Sequence, residues 1–161
     1  MCQTQRVLLV CALMLLTAGI AMADGGGGGG GGSETFLKPM HPDLERATQR
    51  IAQEDFAAAL PLLEKVVRED DTNADAFNLL GYSLRKLERY DEALRNYERA
   101  LKINPKHRGA HEYIGETYLA LNLPEKAKVH LAALDDQCWF GCEEYDDLKE
   151  AIAEYEAAHG S

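Results

Sequence analysis

The chain has 161 residues, with 17 Lys/Arg against 27 Asp/Glu and a formal net charge of −10. That balance argues against nucleic acid and anionic membrane surfaces as partners, because both repel an acidic surface. No Ser/His/Asp arrangement, H-E-x-x-H or P-loop pattern occurs, and acids are so numerous that no carboxylate pair stands out as a catalytic couple.

A short start containing Arg6 leads into the apolar run Val7 to Ile20, and Ala21-Met22-Ala23 forms an A-x-A-like site before Asp24. This is the order of a secretory signal peptide, with cleavage expected after Ala23. The competing expectation is an uncleaved membrane anchor, since the run is not far short of a spanning length. No cysteine stands at the cleavage point to take a lipid. An unbroken glycine run, Gly25 to Gly32, follows. Such a run behaves as a flexible coil, so residues 24–39 are expected to be a linker without a site. Shortened to 24–161, the chain carries 16 basic and 27 acidic side chains, a net −11.

Helical spacing begins near residue 40. Leu44, Ala47 and Ile51 make one apolar stripe, and Phe56, Ala59, Leu63 and Val66 a second. Pro61 lies inside the second and costs on the order of 3 kcal/mol in a helix interior, so a bent or irregular helix is expected there. This first unit lines up with the next only if one residue is deleted from its turn. Residues 74–107 are clearer: Phe77, Leu80, Gly81 and Leu84 are spaced 3, 1 and 3, and Ala93, Tyr97 and Ala100 are spaced 4 and 3. Arg89-Tyr90-Asp91-Glu92 is expected to be the polar turn between the helices, and Pro105 to end the unit near Asn104. Gly81 and Ala93 are small enough for the paired helices to approach closely. Another copy starts 34 residues on, at Arg108, with Ile114, Gly115, Tyr118, Ala127 and Leu131 in register. Pro124 is harmless there if it falls in the first turn of a helix. Last come Tyr145, Leu148, Ile152 and Tyr155, spaced 3, 4 and 3, with Glu143, Glu144, Asp146, Asp147, Glu150, Glu154 and Glu156 on the opposite face. One apolar stripe and one charged face suit a terminal cap. The expected fold is therefore all-α, with three helix pairs at about 40–73, 74–107 and 108–141 and a capping helix at 142–158.

Charge is uneven along this body. Residues 74–108 carry a net +3 and residues 135–156 a net −8, which reads as solvated helix faces or as a dipole that attracts acidic peptides or another copy. Cys2 and Cys11 leave with the signal, so Cys138 and Cys142 remain, in CWFGC. In an exported protein two cysteines this close point to a disulfide that pins the cap to the last pair, with Gly141 giving the small ring its flexibility. A thiol-redox pair, a soft-metal site helped by His130 or His159, and two free thiols stay open as alternatives. His111 falls on a buried stripe and is expected to be a packed core histidine. Neither cofactor nor metal is expected.

The pattern Phe77, Leu80, Gly81, Leu84, Tyr90, Ala93, Tyr97, Ala100, Pro105 resembles the tetratricopeptide repeat (TPR), and the copies on either side resemble it less closely. The copy from Arg108 departs at His111, Pro124 and Trp139, where the family usually has a large aromatic, the aromatic of the turn and the closing proline. The tail CWFGCEEYDDLKEAI is similar to the end of small exported TPR proteins of Gram-negative bacteria, which implies the periplasm. The resemblance implies a superhelix whose first helices line a concave groove for a peptide or partner protein. Carried over by position, the groove residues are Asp75, Asn78, Tyr82, Arg85 and Lys86, then Gly109, Glu112, Glu116, Leu119 and Ala120. In that role Arg85 and Lys86 would hold a carboxylate, Tyr82 and Leu119 would pack an apolar side chain, and Glu112 and Glu116 would repel acids. The family's clamp for the acidic tail of cytosolic chaperones is not matched, since its positions hold Leu44, Thr48, Leu79, Gly109 and Tyr113. The resemblance thus implies a periplasmic interaction module without catalysis. A redox or metal-handling accessory, or an envelope-assembly helper as in cytochrome c maturation, is the alternative.

Overall fold

The computed structural model describes residues 41–160. The expected signal peptide and glycine linker lie outside these residues. The described chain is all-α: α1 (Pro42–Ala52), α2 (Phe56–Glu69), α3 (Ala74–Lys86), α4 (Tyr90–Ile103), α5 (Arg108–Ala120), α6 (Pro124–Asp135) and α7 (Glu143–His159). Neighbours in sequence pack as pairs, α1 with α2, α3 with α4 and α5 with α6, while α1, α3, α5 and α7 touch in succession as an inner row. The last helix closes the stack by packing on α5 and α6.

Local chemistry sets the helix starts. Asp55, Asn73 and His107 each accept a hydrogen bond from the backbone N–H three residues on, filling one of the open donors of α2, α3 and α5. Pro124 is the first residue of α6, where its missing N–H costs no helical bond. The turns within the pairs share one design. Glu54, Glu88 and Asn122 adopt left-handed φ values of 58°, 60° and 59°, and the next residue donates back to Arg50, Leu84 and Tyr118 at 2.8–2.9 Å. These bonds close the C-termini of α1, α3 and α5 as Schellman motifs, one every 34 residues.

Three expectations need correction. The α1–α2 turn has no deletion, because Glu54, Glu88 and Asn122 stand in strict 34-residue register. That register puts Asp43, not an apolar residue, where α3 has Phe77. Asp43 is only 1 % exposed and is held by Arg46 and by Lys65 at 2.7 Å. The second turn is Leu87-Glu88-Arg89 and α4 already begins at Tyr90, so the polar stretch belongs mostly to the helix. Pro61 leaves α2 unbroken from Phe56 to Glu69. Its ring lies on the exposed side and Ala57, whose carbonyl loses a partner, is exposed as well.

The core is one apolar cluster running from Leu44 through Leu63, Leu80 and Tyr97 to Ile114, continued by a second cluster of Leu119, Ala127, Leu134, Leu148 and Ile152. Two glycines permit the closest approaches. A Cβ on Gly81 would come within 2.6 Å of the Tyr97 ring, and one on Gly115 within 2.5 Å of Leu148. Cys138 and Cys142 are joined by a disulfide with Cα atoms 5.6 Å apart, linking the end of α6 to the start of α7. Among the described residues no helix is long and apolar enough to cross a membrane.

Candidate functional site

Side chains of α2, α3 and α5 build a wall of rings and cations. Phe56 meets Tyr82 edge-on at 5.9 Å, and Tyr82 meets Tyr113 at 5.0 Å. The Arg85 guanidinium lies over Tyr82 and Tyr113, 5.5 and 5.4 Å from the ring centres. The Lys86 ammonium covers Phe56 and Tyr82 at 5.6 and 6.0 Å. Ring faces carry negative charge, so each cation is held by the rings beneath it.

Arg85 is also paired with Glu116 at 2.7 Å, so its charge is answered within the chain. Among the described residues Lys86 is exposed and in no ion pair, which leaves it as the available cation of α3. Asp75 is exposed and lies 3.1 Å from Nε2 of His107. Asn78 is buried and its Oδ1 has no hydrogen-bond partner. The Asn78 amide nitrogen would lie 3.4 Å from a Cβ on Gly109, so it sits against the start of α5. Ala120 is exposed at the end of α5. Leu119 belongs to the second core cluster and is packed away from solvent.

Glu112 is the electrostatic outlier. It is buried, and burial pushes its carboxyl up to about 8, with Glu116, Asp147 and Glu144 adding to the rise and Arg85 opposing it. Burial likewise pushes the Tyr113 phenol up to about 12.

A second polar group lies between α5 and α6. His111 Nε2 is 3.1 Å from the Pro105 carbonyl, so it carries the proton and donates. Nδ1 of His111 is then the acceptor for Nδ1–H of His130, also at 3.1 Å. Burial, with a smaller push from His111, lowers His130 to about 4, which keeps the His130 ring neutral. His111 is thus a hydrogen-bonded core residue. His159 bonds the Tyr155 carbonyl within its own helix. Among the described residues no group of three or more His, Cys, Asp or Glu is arranged to hold a metal ion.

Sequence reasoning brought Asn78, Tyr82, Arg85, Lys86, Glu112 and Glu116 to the inner row. It read Phe56 as core, took Tyr113 only as a mismatch at a clamp position rather than as a contact residue, and read the α7 acids Glu144 and Asp147 as solvent-facing. Tyr113 stands 34 residues after Leu79, so the repeat register alone carried no sign of an aromatic there.

Stacked antiparallel helix pairs with an inner row of first helices define a helical-repeat protein. Residues 74–107 match the tetratricopeptide repeat family model, and the fold is of the TPR type. Among curated proteins no sequence matches the chain. Its solved structural relatives include a MamA variant at 26 % identity and TM-score 0.55, covering 58 % of this chain and 69 % of that one. A second MamA variant is matched over only 55 % of its length. The type III secretion translocator chaperone SycD of Yersinia enterocolitica is similar at 16 % identity and TM-score 0.62, covering 72 % of this chain and 87 % of that one. The first TPR domain of Spaghetti (RPAP3), bound to an HSP90 peptide, is similar at 17 % identity and TM-score 0.64, with 73 % and 90 % covered.

Proposed function

We propose that this chain is a non-catalytic interaction module that holds an extended peptide or a segment of a partner protein across α3 and α5. One observation carries the reading: Tyr82, at the centre of the Phe56–Tyr82–Tyr113 wall that Lys86 covers, stands one helical turn after Asn78, whose buried Oδ1 has no hydrogen-bond partner. Rings supply apolar contact area at little entropy cost, and an open amide pairs with a peptide backbone. A fold shared with a peptide-bound domain supports the same reading. The proposed place of action is the periplasm, with the chain cut after Ala23. Support comes from the order Arg6, Val7 to Ile20, Ala21-Met22-Ala23, and from the Cys138–Cys142 disulfide, which persists in oxidising compartments.

Photo-crosslinking tests the groove. A benzoylphenylalanine at Lys86 is expected to trap a defined partner in cells, whereas one at the exposed Arg95 of α4 is not. Equal trapping at both positions would place binding elsewhere. Cell fractionation with mass measurement of the mature N-terminus tests the address, and a chain beginning at Met1 would refute cleavage.

A further inference from the structure

We propose that the Cys138–Cys142 ring is a docking knob for a second copy of this chain, with Trp139 and Phe140 of one copy entering the Phe56–Tyr82–Lys86 wall of the next. The inference rests on the groove reading above and names one occupant of that groove.

The ring displays its aromatics. Trp139 and Phe140 are 86 % and 103 % exposed, although such side chains bury roughly 150–250 Å² each when they pack. They are also held in place. The disulfide joins the residues on either side, and the Gly141 N–H donates to the Cys138 carbonyl at 2.9 Å. The Trp139 indole N–H donates to the Asp136 carbonyl at 3.2 Å. Groups fixed before binding lose little freedom on burial, and large aromatics are the usual anchors of protein contacts.

Charge selects the occupant. Asp135, Asp136, Glu143 and Asp146 flank the ring, all exposed, and among the described residues none of them is in an ion pair. Residues 135–156 carry nine acids against one lysine, a net −8. The partner surface that fits is therefore aromatic with a cation at its edge, whereas an anionic lipid surface is repelled. This chain presents that surface itself, within the stretch of net +3 at residues 74–108 and the neighbouring start of α2. Phe56 and Tyr82 are half-buried rings, and the Lys86 ammonium lies over both at 5.6 and 6.0 Å. Arriving rings extend the aromatic wall, and the acids beside them answer Lys86.

The pairing is between copies. Both aromatics stay exposed in the single chain, and α7 contacts α5 and α6 but neither α2 nor α3. Knob and wall are different surfaces, so each contact leaves one knob and one wall open. Copies then add head to tail instead of stopping at a dimer.

Sedimentation velocity of the full chain from about 5 to about 500 µM tests the proposal, and species beyond a dimer are expected as concentration rises. Raising NaCl from about 0.05 M to about 0.5 M is expected to weaken this association. The Trp139→Ala, Phe140→Ala double variant and the Lys86→Glu variant should each weaken it by at least about tenfold. All three side chains are exposed, so the fold is left intact. Mixed together, the two variants are expected to associate again and to stop at a heterodimer, because each supplies the surface that the other lacks. A benzoylphenylalanine at Trp139 should crosslink to a peptide holding Tyr82 of another copy, identified by mixing ¹⁵N-labelled and unlabelled chains. Association that ignores either variant, or no recovery on mixing, overturns the pairing. Flotation with phosphatidylcholine vesicles that the double variant loses assigns the ring to a lipid surface and overturns it as well. A chain that stays monomeric overturns this inference alone if a crosslinker at Lys86 still traps a different protein, and overturns the groove reading too if it traps nothing.

Discussion

Glu54, Glu88 and Asn122 each occupy the left-handed region, where a side chain costs roughly 1 kcal/mol and glycine costs almost nothing. All three are exposed. Changing any of them to glycine is expected to stabilise the fold by about 0.5–1 kcal/mol, read as a rise in urea midpoint. Gly81 and Gly115 behave in the opposite sense and unequally. Both clashes are with fully buried side chains, but a methyl on Gly81 meets the rigid ring of Tyr97, whereas one on Gly115 meets the branched end of Leu148, which can change rotamer. Gly81→Ala should therefore cost about 1–3 kcal/mol and Gly115→Ala less, by equilibrium unfolding. Glu112 sets a pH dependence. A carboxyl raised to about 8 holds its proton in the folded chain but not in the unfolded one between about pH 4.5 and about pH 8. The folded state then binds more protons, so stability falls as pH rises through that window. Glu112→Gln is expected to flatten this slope and raise Tm at about pH 8, by thermal melts across the range.

Among the elements, α7 has the most specific dependence on others. It is the cap, and its acidic first turn, Glu143, Glu144 and Asp146, suits the positive end of its dipole. What seats it is Leu148, fully buried against Gly115, with Ile152 beside it. Leu148→Ala is expected to cost about 2–5 kcal/mol, seen as a lowered Tm together with faster amide exchange in α7 and α5. The Cys138–Cys142 ring adds a covalent restraint. By loop entropy a ring this small contributes about 2 kcal/mol, so Cys142→Ser should melt earlier yet retain ligand binding at Tyr82 and Lys86. Unchanged melting would deny the disulfide a structural role. Trp139 and Phe140 project from that ring at 86 % and 103 % exposure, so the aromatics of the failed repeat position do not serve the core.

At the scale of the whole described body, charge is distributed in opposite senses along the stack, and ion pairs join neighbouring helices: Arg85 to Glu116, Arg108 to Glu144 and Lys128 to Glu156. The last is exposed and the other two are in part solvent-accessible, where such pairs contribute about 0–1 kcal/mol each. Raising NaCl from about 0.05 M to about 0.5 M is therefore expected to shift Tm by less than about 3 °C, by differential scanning fluorimetry. Stability resides instead in the continuous apolar core, as expected for a stack of units that cannot fold singly.

The sequence by itself determined the all-α class, the helix pairs, the 34-residue register and the cap, because apolar periodicity, a proline and a few small residues are local signals. It also pointed to most of the inner-row residues through that register. Only the tertiary structure decided which of them are open. Arg85 reads as a ligand clamp until Glu116 is found beside it, and Glu112 reads as a surface acid until α7 closes over it. Leu119 reads as groove and is core, while Phe56 reads as core, Tyr113 as a mismatched clamp position, and both form the wall. Burial and pairing depend on side chains from helices distant in the chain. No spacing rule within one helix reports them.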